Sequence, residues 1–129
     1  MPEDKNTIGL TDANKAIMNQ IVEKAGFKDD MDAAKFAFAL AIDHGHEPAQ
    51  AEGAKTIWNV GTFDRGGELK ALVQNLFPNI DAPYRALESL MNIGFGVLAD
   101  ELKSQPGLRI EDLLITDAVT SSATKHDQL

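Results

Sequence analysis

Four side chains able to bind a metal or carry a proton stand within five residues, Asp43, His44, His46 and Glu47. Two histidines separated by one residue chelate zinc or nickel in some proteins. The same stretch holds Gly45 and Pro48, which read as a helix stop, and a histidine there gains from the negative end of the helix dipole. Metal sites usually draw a further ligand from a distant part of the chain, and the only other histidine is His126. His44 and His46 are therefore weak metal candidates with helix termination as their main role, and neither metal nor cofactor is expected.

A second stretch, Gly66-Gly67-Glu68-Leu69-Lys70, superficially looks like a phosphate loop. Its spacing departs from the Walker pattern, since no Ser or Thr follows Lys70 and four residues do not separate the glycines. A weak anion site at the start of the following helix, with Arg65 beside it, stands against an ordinary glycine turn. There is no Gly-x-Ser-x-Gly, no Rossmann fingerprint and no paired-carboxylate arrangement, and the absence of cysteine removes thiol catalysis, disulfides and cysteine-based zinc sites. No catalytic residues are assigned, and the chain is expected not to be an enzyme. The aromatic residues Phe36, Phe38, Trp58, Phe63, Phe77, Tyr84 and Phe95 have apolar neighbours and no interleaved basic side chains, so they read as core and not as a base-stacking platform.

Those residues must be positioned by a mainly α chain of 129 residues. Ile8 and Leu10 fall on one side of a short extended segment, Thr7 to Thr11, and Thr7, Gly9 and Thr11 fall on the other. Thr11 is a suitable N-cap for a helix over 12–25, where Ala13, Ile17 and Ile21 recur at four-residue intervals. Gly26 supplies the left-handed stop, with Phe27 placed to fold back on Val22. After a turn at Lys28-Asp29-Asp30, with either aspartate as cap, comes an apolar run from Ala33 to Ile42 interrupted only by Lys35. A helix apolar around its circumference has to be covered on every side. That cover comes from the second half of the chain, from a second copy, or from both.

Residues 49–54 read as linker, and Lys55 to Thr62 as a short strand or ordered loop anchored by Trp58. A helix over 68–77 carries Leu69, Leu72, Val73 and Leu76 before Pro78 stops it. Asp81 is the expected cap of a last long helix with Pro83 in its first turn. This helix bears Tyr84, Leu87, Leu90, Met91, Phe95, Leu98 and Leu102 on one broad side, and Gly94 and Gly96 in its middle point to close helix packing. Leu108 to Leu114 is a short strand or helical turn, and 116–129 a disordered tail.

The formal net charge is −8, with ten acidic and six basic residues in each half of the chain. Proteins hold duplex DNA largely through Lys and Arg that displace counterions, so an acidic chain with three arginines starts at a disadvantage and needs a local basic patch. No apolar run approaches the eighteen or so residues of a membrane span. The N-terminal residues lack the layout of a signal peptide, so no membrane partner is expected and the cytoplasm is the expected location.

The order Ile8-Gly9-Leu10-Thr11, helix 12–25, Gly26-Phe27-Lys28-Asp29-Asp30, then the apolar helix to His44 resembles the ribbon-helix-helix family of dimeric regulators. More distantly it is similar to the small helical protein associated with DNA phosphorothioate modification. The resemblance covers residues 8–45 and implies a homodimer whose strands pair across a two-fold axis. Ile8 and Leu10, with Phe36 and Leu40, would form the dimer interface, and Lys5, Asn6, Thr7, Gly9 and Thr11 would face double-stranded DNA. Gly9 offers no side chain there, and neither threonine carries charge.

The expected organisation is a ribbon-helix-helix-like dimerisation unit over 1–48, a helical part over 49–115 packing on it as a hairpin with a short extended segment, and the tail. The expected function is a non-enzymatic homodimeric DNA-associated or regulatory protein, which would bind a protein partner through its C-terminal helices. The alternative is an acidic dimeric interaction or assembly module without nucleic-acid binding.

Overall fold

Thr11 starts the first helix as its residue type suggests: its hydroxyl accepts a hydrogen bond from the Asn14 N–H at 3.2 Å, and Gly26 at φ 72° ends the helix. The computed structural model describes residues 4–49 and 53–104. Along them run β1 (Thr7–Leu10), α1 (Asp12–Ala25), α2 (Asp30–Asp43), β2 (Lys55–Asn59), α3 (Val60–Phe63), α4 (Glu68–Leu76) and α5 (Pro83–Ser104). The expectations for Leu108 to Leu114 and for the tail at 116–129 lie outside the described residues.

Among the described residues the fold is mainly helical with one small antiparallel sheet, β1 against β2. Thr7 stands opposite Asn59 and Ile8 opposite Trp58, after which the register shifts so that Gly9 meets Thr56 and Leu10 meets Lys55. Ile57 is thus the extra residue of a bulge on β2. The bulge brings the Lys55 backbone over Gly9, where a Cβ would overlap the Lys55 carbonyl. Glycine is required at this position by space, and the strand pairs within its own chain.

Asp29 caps α2, its carboxylate accepting the Asp32 N–H at 2.9 Å. α2 lies along α5 in the most extensive contact between helices, and the two approach so closely that a Cβ on Gly94 would overlap the Ala37 carbonyl. That is the close packing expected of the glycines in α5, and Gly94 alone carries it, since a Cβ on Gly96 would meet nothing. α5 supplies most of the cover that the apolar run in α2 demands. The cover is incomplete: Ala39 is exposed, and Phe36 and Ile42 are half-buried.

α5 is the central element. Six consecutive residues, Leu87 to Asn92, are buried, so it is enclosed around its circumference through this stretch, not on one broad side as its pattern suggested. A single core cluster joins Ile8, Met18, Ile21 and Phe38 to Phe63, Val73, Leu87 and Phe95. The composition changes near residue 48, but the core does not divide there. Ile8, Leu10 and Leu40, expected at a dimer interface, have 0, 1 and 2% of their surface accessible within one chain. They therefore need no second copy for cover, and Phe36, half-buried, has the Phe27 ring against it at 5.6 Å.

Candidate functional site

Residues 4–11 run beside α5 and are tied to it by polar groups that the apolar pattern hid. Glu88, 2% accessible, receives the Lys5 ammonium at 2.8 Å and accepts the Gly9 N–H at 2.8 Å. One turn on, the Asn92 amide donates to the Gly9 carbonyl at 3.1 Å and to the Glu88 carbonyl at 2.8 Å. Its oxygen accepts from Thr11 N–H at 3.1 Å and from the Asn14 amide at 2.8 Å. The spacing of four residues places both side chains on one stripe of α5, where they take up the Gly9 N–H and carbonyl and the Thr11 N–H on the side of β1 that faces away from β2. At Gly9 the strand thus has β2 on one edge and α5 side chains on the other.

The start of α5 is capped from a distance as well. Asp4 accepts the Tyr84 N–H at 2.9 Å and the Arg85 N–H at 3.0 Å, two of the free donors that begin any helix. Asp81, the cap expected from the sequence, is exposed, and Asp4 holds the donors it was expected to take.

α4 repeats the device. Asp64 is buried, accepting the Leu69 N–H at 2.8 Å, the Lys70 N–H at 3.0 Å and the Tyr84 hydroxyl at 3.0 Å. The anion position considered at Gly66-Gly67 is thus filled by the chain's own carboxylate, and the glycines form the turn that brings it there, both at positive φ. Burial, the hydrogen bond to Asp64 and the negative field of Asp64 and Asp4 together push the Tyr84 phenol up to about 12. At neutral pH the phenol keeps its proton and donates it to Asp64.

Each residue expected to face DNA has a structural position. Lys5 pairs with Glu88, Thr11 caps α1, and Thr7 shares a hydrogen bond with the Thr56 hydroxyl at 3.1 Å. Gly9 was expected to face outward; it is buried, with Lys55 over it and α5 along its edge. Asn6 alone is exposed, its carbonyl accepting the Val60 N–H at 2.9 Å. The five residues come together along one strand but do not form a basic surface.

His44 and His46 are exposed beyond α2, and the turn is closed by the His44 N–H on the Leu40 carbonyl at 2.9 Å and the His46 N–H on the Ala41 carbonyl at 3.0 Å. Gly45 at φ 79° makes the stop read from the sequence. Among the described residues no group of three or more His, Asp or Glu is arranged to hold a metal ion. Phe38, Phe63 and Phe95 are buried in the core, as the aromatic pattern implied, and Trp58 packs on Phe63 at 5.1 Å.

The remaining surface feature is apolar. Among the described residues Leu72 and Leu76, four residues apart on α4, are the large hydrophobic side chains left most open, at 41 and 44%. Leu76 also lines the first of two adjoining open depressions that meet at Pro48 and Ile80. Phe77 lies beside it in that depression, and Ala49 and Ala86 line the second. Their helical spacing with Leu69 and Val73 does not by itself distinguish the open pair from the covered one. Among the described residues no helix is long and apolar enough to cross a membrane. Neither a family model, nor a curated protein sequence, nor a solved structure matches this chain.

Proposed function

We propose that this chain is a non-enzymatic interaction module, acidic and without a nucleic-acid-reading surface, that works by presenting one apolar face to another protein. The observation that supports this reading best is the contrast in how side chains are used. Four of the five residues expected to meet a duplex are engaged within the fold, whereas Leu72 and Leu76 stand open on α4, Leu76 lining a groove at Pro48 and Ile80. Contiguous apolar surface next to a concavity is the usual mark of a protein contact. The net charge of −8 works in the same direction, since it opposes approach to a polyanion.

Proximity labelling in the native cell tests this reading, comparing the wild-type chain with the double variant Leu72→Gln, Leu76→Gln. A set of neighbouring proteins lost from the variant, while its melting temperature is kept, is the expected result. An unchanged set removes this face as the contact. Binding of a mixed duplex pool that strengthens as salt is lowered would return the chain to the DNA-associated reading.

A further inference from the structure

We infer that the groove between Pro48, Ile80 and Leu76 receives a basic amphipathic segment of a partner protein, two apolar side chains filling the groove and flanking Lys or Arg reaching its rim. This rests on the interaction-module reading and adds the chemistry of the partner. Leu72 and Leu76 form a ridge one helical turn long, and Phe77, Ile80 and Ala86 floor the depressions beside it. A ridge of two leucines four residues apart beside these depressions matches a short segment with apolar residues three or four apart, the spacing that one face of a helix provides.

The charge around the groove selects the partner's sign. Glu47 and Asp81 stand on the rim, against Arg85 as its basic residue. α4 ends at Leu76, within the lining, and its last turn holds no basic side chain, so the negative end of its dipole adds to those carboxylates. α5 begins at the groove with the opposite polarity, but Asp4 occupies its first N–H groups and offsets that positive end. Groove and chain are therefore both negative. A second copy, itself at −8, would bring like charge against like, and that opposes self-association through this face.

A displayed library of random helical peptides of about sixteen residues, selected against the intact protein, tests the inference. The expected clones carry paired Leu, Ile or Phe with Lys or Arg. Their affinity falls at least about tenfold for Leu76→Gln and also falls as salt rises from about 50 to 500 mM. Glu47→Lys with Asp81→Lys should weaken the same clones about tenfold while leaving the melting temperature unchanged, which a purely apolar contact would not show. Enriched clones without basic residues, or indifferent to Leu76→Gln, overturn the partner chemistry while leaving an interaction module standing. A library that yields no binder overturns both. Sedimentation at twice the chain mass that reverts to one with Leu76→Gln assigns the groove to a second copy and likewise overturns the inference.

Discussion

The seam between β1 and α5 and the outer face of α4 solve opposite problems. In the seam, charged and amide side chains lie deep in the molecule, yet among the described residues no buried side-chain nitrogen or oxygen lacks a hydrogen-bond partner. On α4, two leucines that could have been polar lie 41 and 44% open. Burying a polar group is tolerated when it is hydrogen-bonded, so the polar side chains of the seam serve to hold β1 against α5. Exposing leucine has no such structural return. The difference separates residues that serve stability from residues available for contact, and it can be broken from either side.

The largest effect is expected at Glu88. Glu88→Ala removes the partner of Lys5 and leaves the Gly9 N–H facing a cavity, so denaturant unfolding should show a loss of about 3 kcal/mol, within the range for breaking a largely buried ion pair. Lys5 keeps some contact with water, which holds the figure at the lower end of that range. A loss below about 1 kcal/mol would mean that the seam is not what fastens β1.

Next comes Gly94→Ala, which sets a methyl group against the Ala37 carbonyl and forces α2 and α5 apart. Overpacking of this kind typically destabilises by about 1–3 kcal/mol. Gly96→Ala, two residues on, meets open space and should be neutral or slightly stabilising, since alanine is the better helix former. Comparing the two melting temperatures separates contact from propensity.

These residues also mark how far the sequence could be read. Thr11 as a cap, Gly26 and Gly45 as stops, the limits of α1 and the glycine-mediated approach of α5 follow from neighbours within a few positions, and all four could be read from the chain. The partners of Glu88 and Asn92 are 79 and 81 residues away, and no period in the sequence encodes such a pairing. Asp4 in place of Asp81 as the cap of α5, and Asp64 in place of an external anion at α4, are hidden for the same reason. β1 was legible as a strand, but its partner was not: an extended segment with Ile8 and Leu10 on one side fits a strand from another copy as well as it fits β2. A faint signal did exist in Ala86-Leu87-Glu88-Ser89-Leu90-Met91-Asn92, where one charge sits in about two otherwise uncharged turns of the longest described helix.

Asp64→Asn should have a smaller effect and separates two causes. The Tyr84 pKa is raised, so the phenol favours the fold at pH below about 10, its ordinary value, and that contribution fades as pH climbs through the window from 10 to about 12. With Asn at position 64 the carboxylate's hydrogen bond and field disappear, but burial remains. Titration followed by ultraviolet absorbance should then give a pKa lower than 12 but still above 10. An unchanged value would assign the shift to burial alone. Stability at neutral pH should fall by about 1–2 kcal/mol, because an amide oxygen accepts from the Leu69 and Lys70 N–H groups less strongly than a carboxylate.

The smallest effect on stability is expected where the effect on contact is greatest. Leu72→Gln and Leu76→Gln exchange half-open apolar side chains for polar ones of similar length and helix propensity, and each should change unfolding free energy by no more than about 0.5 kcal/mol. Thermal unfolding of each variant beside the wild type measures this. If either loses 2 kcal/mol or more, the leucines belong to the core after all, and the contrast between a saturated seam and an unfinished face collapses. If stability is kept and solubility rises, the exposure of these leucines is a cost the free chain carries for the sake of a bound state, because nothing in its own packing would require them.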